Sequence, residues 1–166
     1  GIFQKYHDQL TENISIFNEW AAEQKKEIMG QQYKNACCRK ALLFGIVFSR
    51  AILHDDGLLF SFENSEIADF TSRLTKEFYM KELEEKKSSV GGRRRLYFLD
   101  CKPLHKYVFE LTAGGPPLIS KCQGCKTAFV RGIFLGSGKI SDPEKQFLLE
   151  FTPARREQLF LNFFLF

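Results

Sequence analysis

Apolar residues near the start of the chain fall three and four apart, at Phe3, Tyr6, Leu10, Ile14, Phe17 and Trp20. That period predicts an amphipathic helix or helix pair ending near Gly30. From Asn35 to Leu53 the pattern changes, because the second half is too uniformly apolar for a surface helix, and this segment is expected at the centre of the domain. His54-Asp55-Asp56-Gly57 reads as a turn, and Leu58 to Phe62 has the length and composition of a strand. Asn64 or Ser65 can cap the next helix, whose stripe is Ile67, Phe70, Leu74 and Phe78. A hairpin follows: residues 83–88 are mostly polar, Gly91-Gly92 supplies a turn, and Arg93 to Leu99 is rich in strand formers. Pro103 opens a short helix to about Leu111, and Gly114-Gly115-Pro116-Pro117 closes the unit.

The pattern then repeats. Cys38, Ala41, Gly45 and Ile46 recur 87 positions later as Cys125, Ala128, Gly132 and Ile133. The second unit reads as a helix from Lys121 to about Leu135, a turn at Ser141-Asp142-Pro143, a strand at Gln146 to Thr152 and a helix from Ala154 onward. Moving the offset to 89 aligns Leu58 to Phe62 with Phe147 to Phe151, so the slip falls in a turn. Gly45-xxx-Ser49 and Gly132-xxx-Gly136 place small residues one turn apart on one helix face, which permits two backbones to approach closely. An interior glycine costs roughly 1 kcal/mol relative to alanine, so its recurrence at equivalent sites favours a close-contact role over chance. The division expected is a helical extension over 1–32, a first repeat over 33–117 and an incomplete second repeat over 118–166. The apolar end Asn162-Phe163-Phe164-Leu165-Phe166 points to truncation inside that second copy.

Composition adds limits. The 166 residues are 44% hydrophobic and 27% charged, enough for one cored domain with an appendage. Eighteen Phe predict a densely aromatic core. No apolar run approaches the roughly 20 residues of a membrane span, and no basic segment precedes an apolar one at the start. A cytoplasmic protein without a membrane partner is therefore expected. The net charge of +4 permits a polyanionic partner without demanding one. Its distribution matters more, with clusters at Lys86-Lys87, at Arg93-Arg94-Arg95, and around Lys121, Lys126, Arg131 and Lys139.

The stretch Cys125-Lys126-Thr127-Ala128-Phe129-Val130-Arg131-Gly132-Ile133-Phe134-Leu135-Gly136-Ser137-Gly138, running on into Ser141-Asp142-Pro143-Glu144-Lys145 and Leu148-Leu149-Glu150-Phe151, resembles the N-terminal domain of the WhiA family. Cys37-Cys38-Arg39-Lys40 carries a looser form of the same resemblance. That family comprises bacterial sporulation and cell-division regulators, and its domain is similar to the LAGLIDADG homing-endonuclease fold. The resemblance spans about 33–166 and implies an α+β fold of duplicated α-β-α-β-β-α units around two central packed helices, the second unit truncated.

LAGLIDADG nucleases place an acid at the end of each central helix to hold the cations that activate water. The motif puts those positions at Arg50 and Ser137, where neither side chain can replace a carboxylate. The resemblance thus implies no catalytic residue and no cofactor, and a double-stranded DNA partner met by the concave face of the sheet. Lys86, Lys87, Arg93, Arg94, Arg95, Lys139 and Lys145 are the expected contacts. Arg94 should face opposite Arg93 and Arg95, since successive residues of a strand alternate. A solvated hairpin tip balanced by Glu82, Glu84 and Glu85 is the competing reading of that segment, and a protein partner is the alternative to DNA. No small-molecule substrate is expected. Asp55 and Asp142 share the 87-residue spacing and could substitute for the missing acids, although both suit turns.

Five cysteines without a secretory signal argue against a disulfide framework. Cys122-x-x-Cys125 has zinc-ligand spacing, and the repeat relates Cys125 to Cys38, so four thiols could converge where the central helices begin. The adjacency of Cys37 and Cys38 is awkward for a tetrahedron, and small buried thiols on a helix face are the alternative. The sequence therefore assigns no metal.

Overall fold

The computed structural model describes residues 22–87 and 94–137, the backbone of 138–140 and 149–151, and residues 2, 4, 5 and 8. Residues 22–30 are helical (α1). There follow α2 (Ala36–Arg50), β1 (Ile52–His54), β2 (Gly57–Phe62), α3 (Ser65–Tyr79), β3 (Glu84–Lys86), β4 (Arg95–Leu99), α4 (Lys102–Thr112), α5 (Gly124–Ser137), β5 (Gly138–Ile140) and β6 (Leu149–Phe151). The fold is α+β, with an antiparallel four-stranded sheet in the order β1-β2-β4-β3 and a separate β5-β6 pair.

The central helix ends three residues before the expected Leu53. Ala51 turns to an extended conformation, its N–H still bonded to the Val47 carbonyl, and Ile52–His54 becomes strand β1 paired with β2. A continuous apolar run does not distinguish a helix end from a short strand, so periodicity alone overextends the helix. The first unit is accordingly α-β-β-α-β-β-α. In the first copy the turn contracts to Asp55 and Asp56.

Alternation sets the sheet's two faces. Leu58, Phe60 and Phe62 of β2 and Tyr97 and Leu99 of β4 are buried beneath the helices, whereas Leu59, Ser61, Leu96 and Phe98 are half-buried on the opposite face. Asn64 caps α3 by accepting the Glu66 N–H at 2.8 Å, and Ile67, Phe70 and Leu74 of the expected stripe are buried, with Phe78 packed at the margin. Met80 closes that helix in the left-handed region, at φ 56°. In α4, Pro103 stands in the first turn, where a missing N–H costs nothing.

The centre of the molecule is the α2–α5 pair. Between Ala41 and Arg50 every α2 residue except Phe44 is buried, as its uniform apolarity predicts. Fully burying side chains such as Leu42, Leu43, Ile46 and Phe48 stabilises by roughly 1.5–3 kcal/mol each. The two glycines meet at the crossing. A Cβ built on Gly45 would stand 2.9 Å from the Gly132 Cα and overlap the Phe129 carbonyl oxygen, and one on Gly132 would stand 2.9 Å from the Gly45 Cα and overlap the Leu42 carbonyl oxygen. Phe48 packs on Phe129 with ring centroids 5.5 Å apart, and Gly136 abuts Ser49 and Arg50 one turn later. The helices therefore run parallel, starting together at the cysteines and ending together at Arg50 and Ser137.

The strand expected over Gln146–Thr152 is described at Leu149–Phe151, paired with β5, a strand that Gly-Lys-Ile did not announce. The Ser141-Asp142-Pro143 turn, the helix from Ala154, the Gly91-Gly92 turn and the apolar positions Phe3, Tyr6, Leu10, Ile14, Phe17 and Trp20 lie outside the described residues.

Candidate nucleic-acid interface

Arg50 and Ser137 are the last residues of α2 and α5, where the sequence resemblance to LAGLIDADG nucleases leads one to look for acids. Both are buried, at 6% exposure each. The Ser137 hydroxyl donates to the Ile133 carbonyl at 3.1 Å, which occupies its proton inside its own helix. The Arg50 guanidinium sits at a helix C-terminus, where the dipole favours a cation. Burial lowers its pKa, the Arg94 charge lowers it further, and Glu63 acts in the opposite sense. An arginine remains protonated under such shifts. A fixed, buried positive charge thus stands at the end of α2.

Register places the candidate basic residues on the sheet. Lys86 pairs with Leu96, and its ammonium lies 5.2 Å from the Phe98 ring centroid, so it belongs to the open face. Arg94 precedes β4 and reaches across that face, donating to the Ser61 carbonyl at 3.2 Å and approaching Glu63 at 3.5 Å. Arg95 is in register with Phe62 and alternates with Leu96, which puts it on the helix side, 3.8 Å from Glu85. Arg94 and Arg95 therefore face apart, as strand alternation requires. Lys87 is exposed just past β3. Lys139 is in β5 opposite Glu150, while Arg93 and Lys145 lie outside the described residues.

The open face is not uniformly basic. Its centre is Leu59, Leu96 and Phe98, with Ile52 43% exposed at one side and His54 edge-on to Phe98 at 5.9 Å. Glu84 shares the face through its pairing with Phe98. Ion pairs this exposed hold their arginines weakly, so Arg94 can exchange Glu63 for another anion at little cost. Asp55 lies in the β1–β2 turn, lining a groove of about 290 Å³ with Asp56, Asp100 and His105. Asp142, its partner by symmetry, lies outside the described residues.

At the other end of the helix pair, sequence spacing left a metal unassigned, and the structure brings the four cysteines together. The Cys122 Sγ lies 3.5 Å from that of Cys37, 3.3 Å from that of Cys38 and 3.7 Å from that of Cys125, and all four sulfurs fall within 4.8 Å of one another. Among the described residues this is the one group of three or more His, Cys, Asp or Glu able to hold a metal ion. Hydrogen bonds from Cys38 and Cys37, and then from the Gly124 N–H, lower the Cys122 pKa to about 6. Burial, and then the bond to Cys122, raise that of Cys38 to about 12. The helix starts supply further positive potential, with no acid in the first turn of α2 or α5.

A family model described as the WhiA LAGLIDADG-like domain matches residues 126–161. The chain is similar to a "Probable cell division protein WhiA" of Caldicellulosiruptor saccharolyticus, at 27% identity over 83% of this chain and 49% of that protein. A protein of the same name from Clostridium botulinum is 32% identical over 57% of this chain and 36% of its own length. The chain thus spans about half, or less, of the relatives it matches. Its fold is that of a crystal structure of the N-terminal LAGLIDADG domain of DUF199/WhiA, with a TM-score of 0.61, 18% identity, and coverage of 85% of this chain and 69% of the other. Among the described residues no helix is long and apolar enough to cross a membrane. By these matches the chain is similar to the WhiA family over part of its length, and its fold is that of a WhiA N-terminal LAGLIDADG domain.

Proposed function

We propose that this domain binds double-stranded DNA without cutting it, as part of a nucleoid-associated regulator acting in transcriptional control of sporulation or cell division. The observation that carries the reading is the buried Arg50 at the end of α2. It replaces a metal-binding acid with a permanent cation and lies within electrostatic range of Arg94 on the open sheet face. A site so charged repels divalent cations and attracts phosphate. Ser137 cannot restore the lost ligand, since its hydroxyl is bonded within α5. Lys86, Lys87 and Arg94 contact the phosphate backbone. Arg95, turned to the helix side, adds long-range charge only. The names of the relatives are consistent with a role in division.

A second reading has an observation of its own. The apolar centre of the open face, Ile52, Leu59, Leu96 and Phe98, with Glu84 beside it, also suits a protein partner. Duplex DNA titrated at low salt, followed by incubation with supercoiled plasmid and magnesium, separates the possibilities. DNA binding without nicking is expected. No binding at low salt would leave the protein-partner reading, and nicking lost on changing Asp55 or Asp142 to Asn would overturn the non-catalytic assignment.

A further inference from the structure

The geometry points to a structural zinc site, held by Cys37, Cys38, Cys122 and Cys125, that ties together the starts of the two central helices. Four thiolates around zinc at about 2.3 Å form a tetrahedron whose edges are about 3.8 Å. The three sulfur–sulfur contacts made by Cys122, at 3.3, 3.5 and 3.7 Å, and the 4.8 Å limit on all pairs bracket that edge. Sulfur-only tetrahedral sets favour zinc or iron, and zinc is the ion that such closed sites hold for structure alone. With all four positions supplied by the protein, none remains for water or substrate, so the role is to clamp the fold.

Each local choice in the sequence serves this cluster. Cys37 and Cys38 occupy the first turn of α2, and Cys125 the first turn of α5, where the Gly124 N–H bonds the Cys122 sulfur. Adjacent cysteines at a helix start leave their strand-like alternation behind, and the helical turn brings both thiols to Cys122. Gly124 keeps the pocket open, since a Cβ there would stand 3.0 Å from the Cys38 sulfur and 3.8 Å from that of Cys122. The Asn35 amide reaches the Cys122 sulfur at 3.9 Å, an outer contact of the kind that orients metal ligands. Cys101, the fifth cysteine, is buried elsewhere in the core and takes no part. On binding, zinc displaces the protons still on the thiols, and no oxidant or reductant is needed.

The test is the metal content of the 166-residue chain, purified without chelator from zinc-supplemented medium, together with cobalt titration of the stripped, reduced chain. One zinc per chain is expected, lost in Cys122→Ser and Cys125→Ser and kept in Cys101→Ser. Because a ligand variant can fail to fold, the titration uses the unaltered protein. One equivalent of cobalt should give thiolate-to-cobalt charge-transfer absorption and the visible bands of a tetrahedral sulfur site, both abolished by zinc. Absence of zinc together with absence of these bands would overturn the site. So would stoichiometric iron in place of zinc, or a disulfide through Cys122 in freshly isolated protein.

Discussion

Gly45 and Gly132 face each other backbone to backbone, so closely that a Cβ on either would stand 2.9 Å from the other's Cα. The atoms that would be struck belong to main chain, and main chain in the middle of two packed helices cannot step aside. Gly45→Ala and Gly132→Ala are each expected to destabilise the fold by about 1–3 kcal/mol or more, although alanine is the better helix former. Chemical denaturation measures this directly. A gain in stability for either variant would show that the helices do not cross at these glycines.

This contact was readable from the chain because both glycines recur at one spacing inside apolar helices, and close approach was the reason that explained both. Arg50 and Ser137 were readable for the same reason, as the residues that follow from the motif. Strand β1 was not, since Ile52 and Leu53 continue an apolar run and only the pairing of Ile52 with Leu59 makes them a strand. The thiol quartet lay between these cases. Symmetry related Cys38 to Cys125, but whether adjacent Cys37 and Cys38 could both turn inward depends on where α2 starts, and on Gly124 leaving room. Those are properties of packing, with no signal in spacing.

The ends of α3 make a local test of the structure. Asn64→Ala removes the acceptor of the Glu66 N–H and should cost about 1 kcal/mol. Met80 is 87% exposed and left-handed, so Met80→Gly relieves a backbone cost and should stabilise by roughly 0.5–1 kcal/mol. Thermal unfolding of the two variants should shift in opposite directions. Equal or inverted shifts would mean that α3 is bounded elsewhere.

Metal removal should act at one pole of the helix pair. Stripping zinc is expected to speed backbone amide exchange at residues 38–40 and 125–127 and to lower the unfolding temperature, with much smaller changes around Gly45 and Gly132, which glycine packing holds. Uniform protection in the presence and absence of zinc would argue that the thiols pack without a structural ion.

Two adjacent arginines on opposite faces supply the sharpest test of DNA binding. Both Arg94→Glu and Arg95→Glu change the net charge equally, but Arg94 crosses the open face to Ser61 and Glu63 while Arg95 turns to Glu85 on the helix side. The decisive measurement is duplex-DNA affinity across a salt series for the unaltered chain and these two variants. The account predicts a negative log–log slope, shallower by about 1 in Arg94→Glu, with affinity falling far more than in Arg95→Glu. Equal losses in the two variants, or no binding by the unaltered chain at low salt, would contradict it.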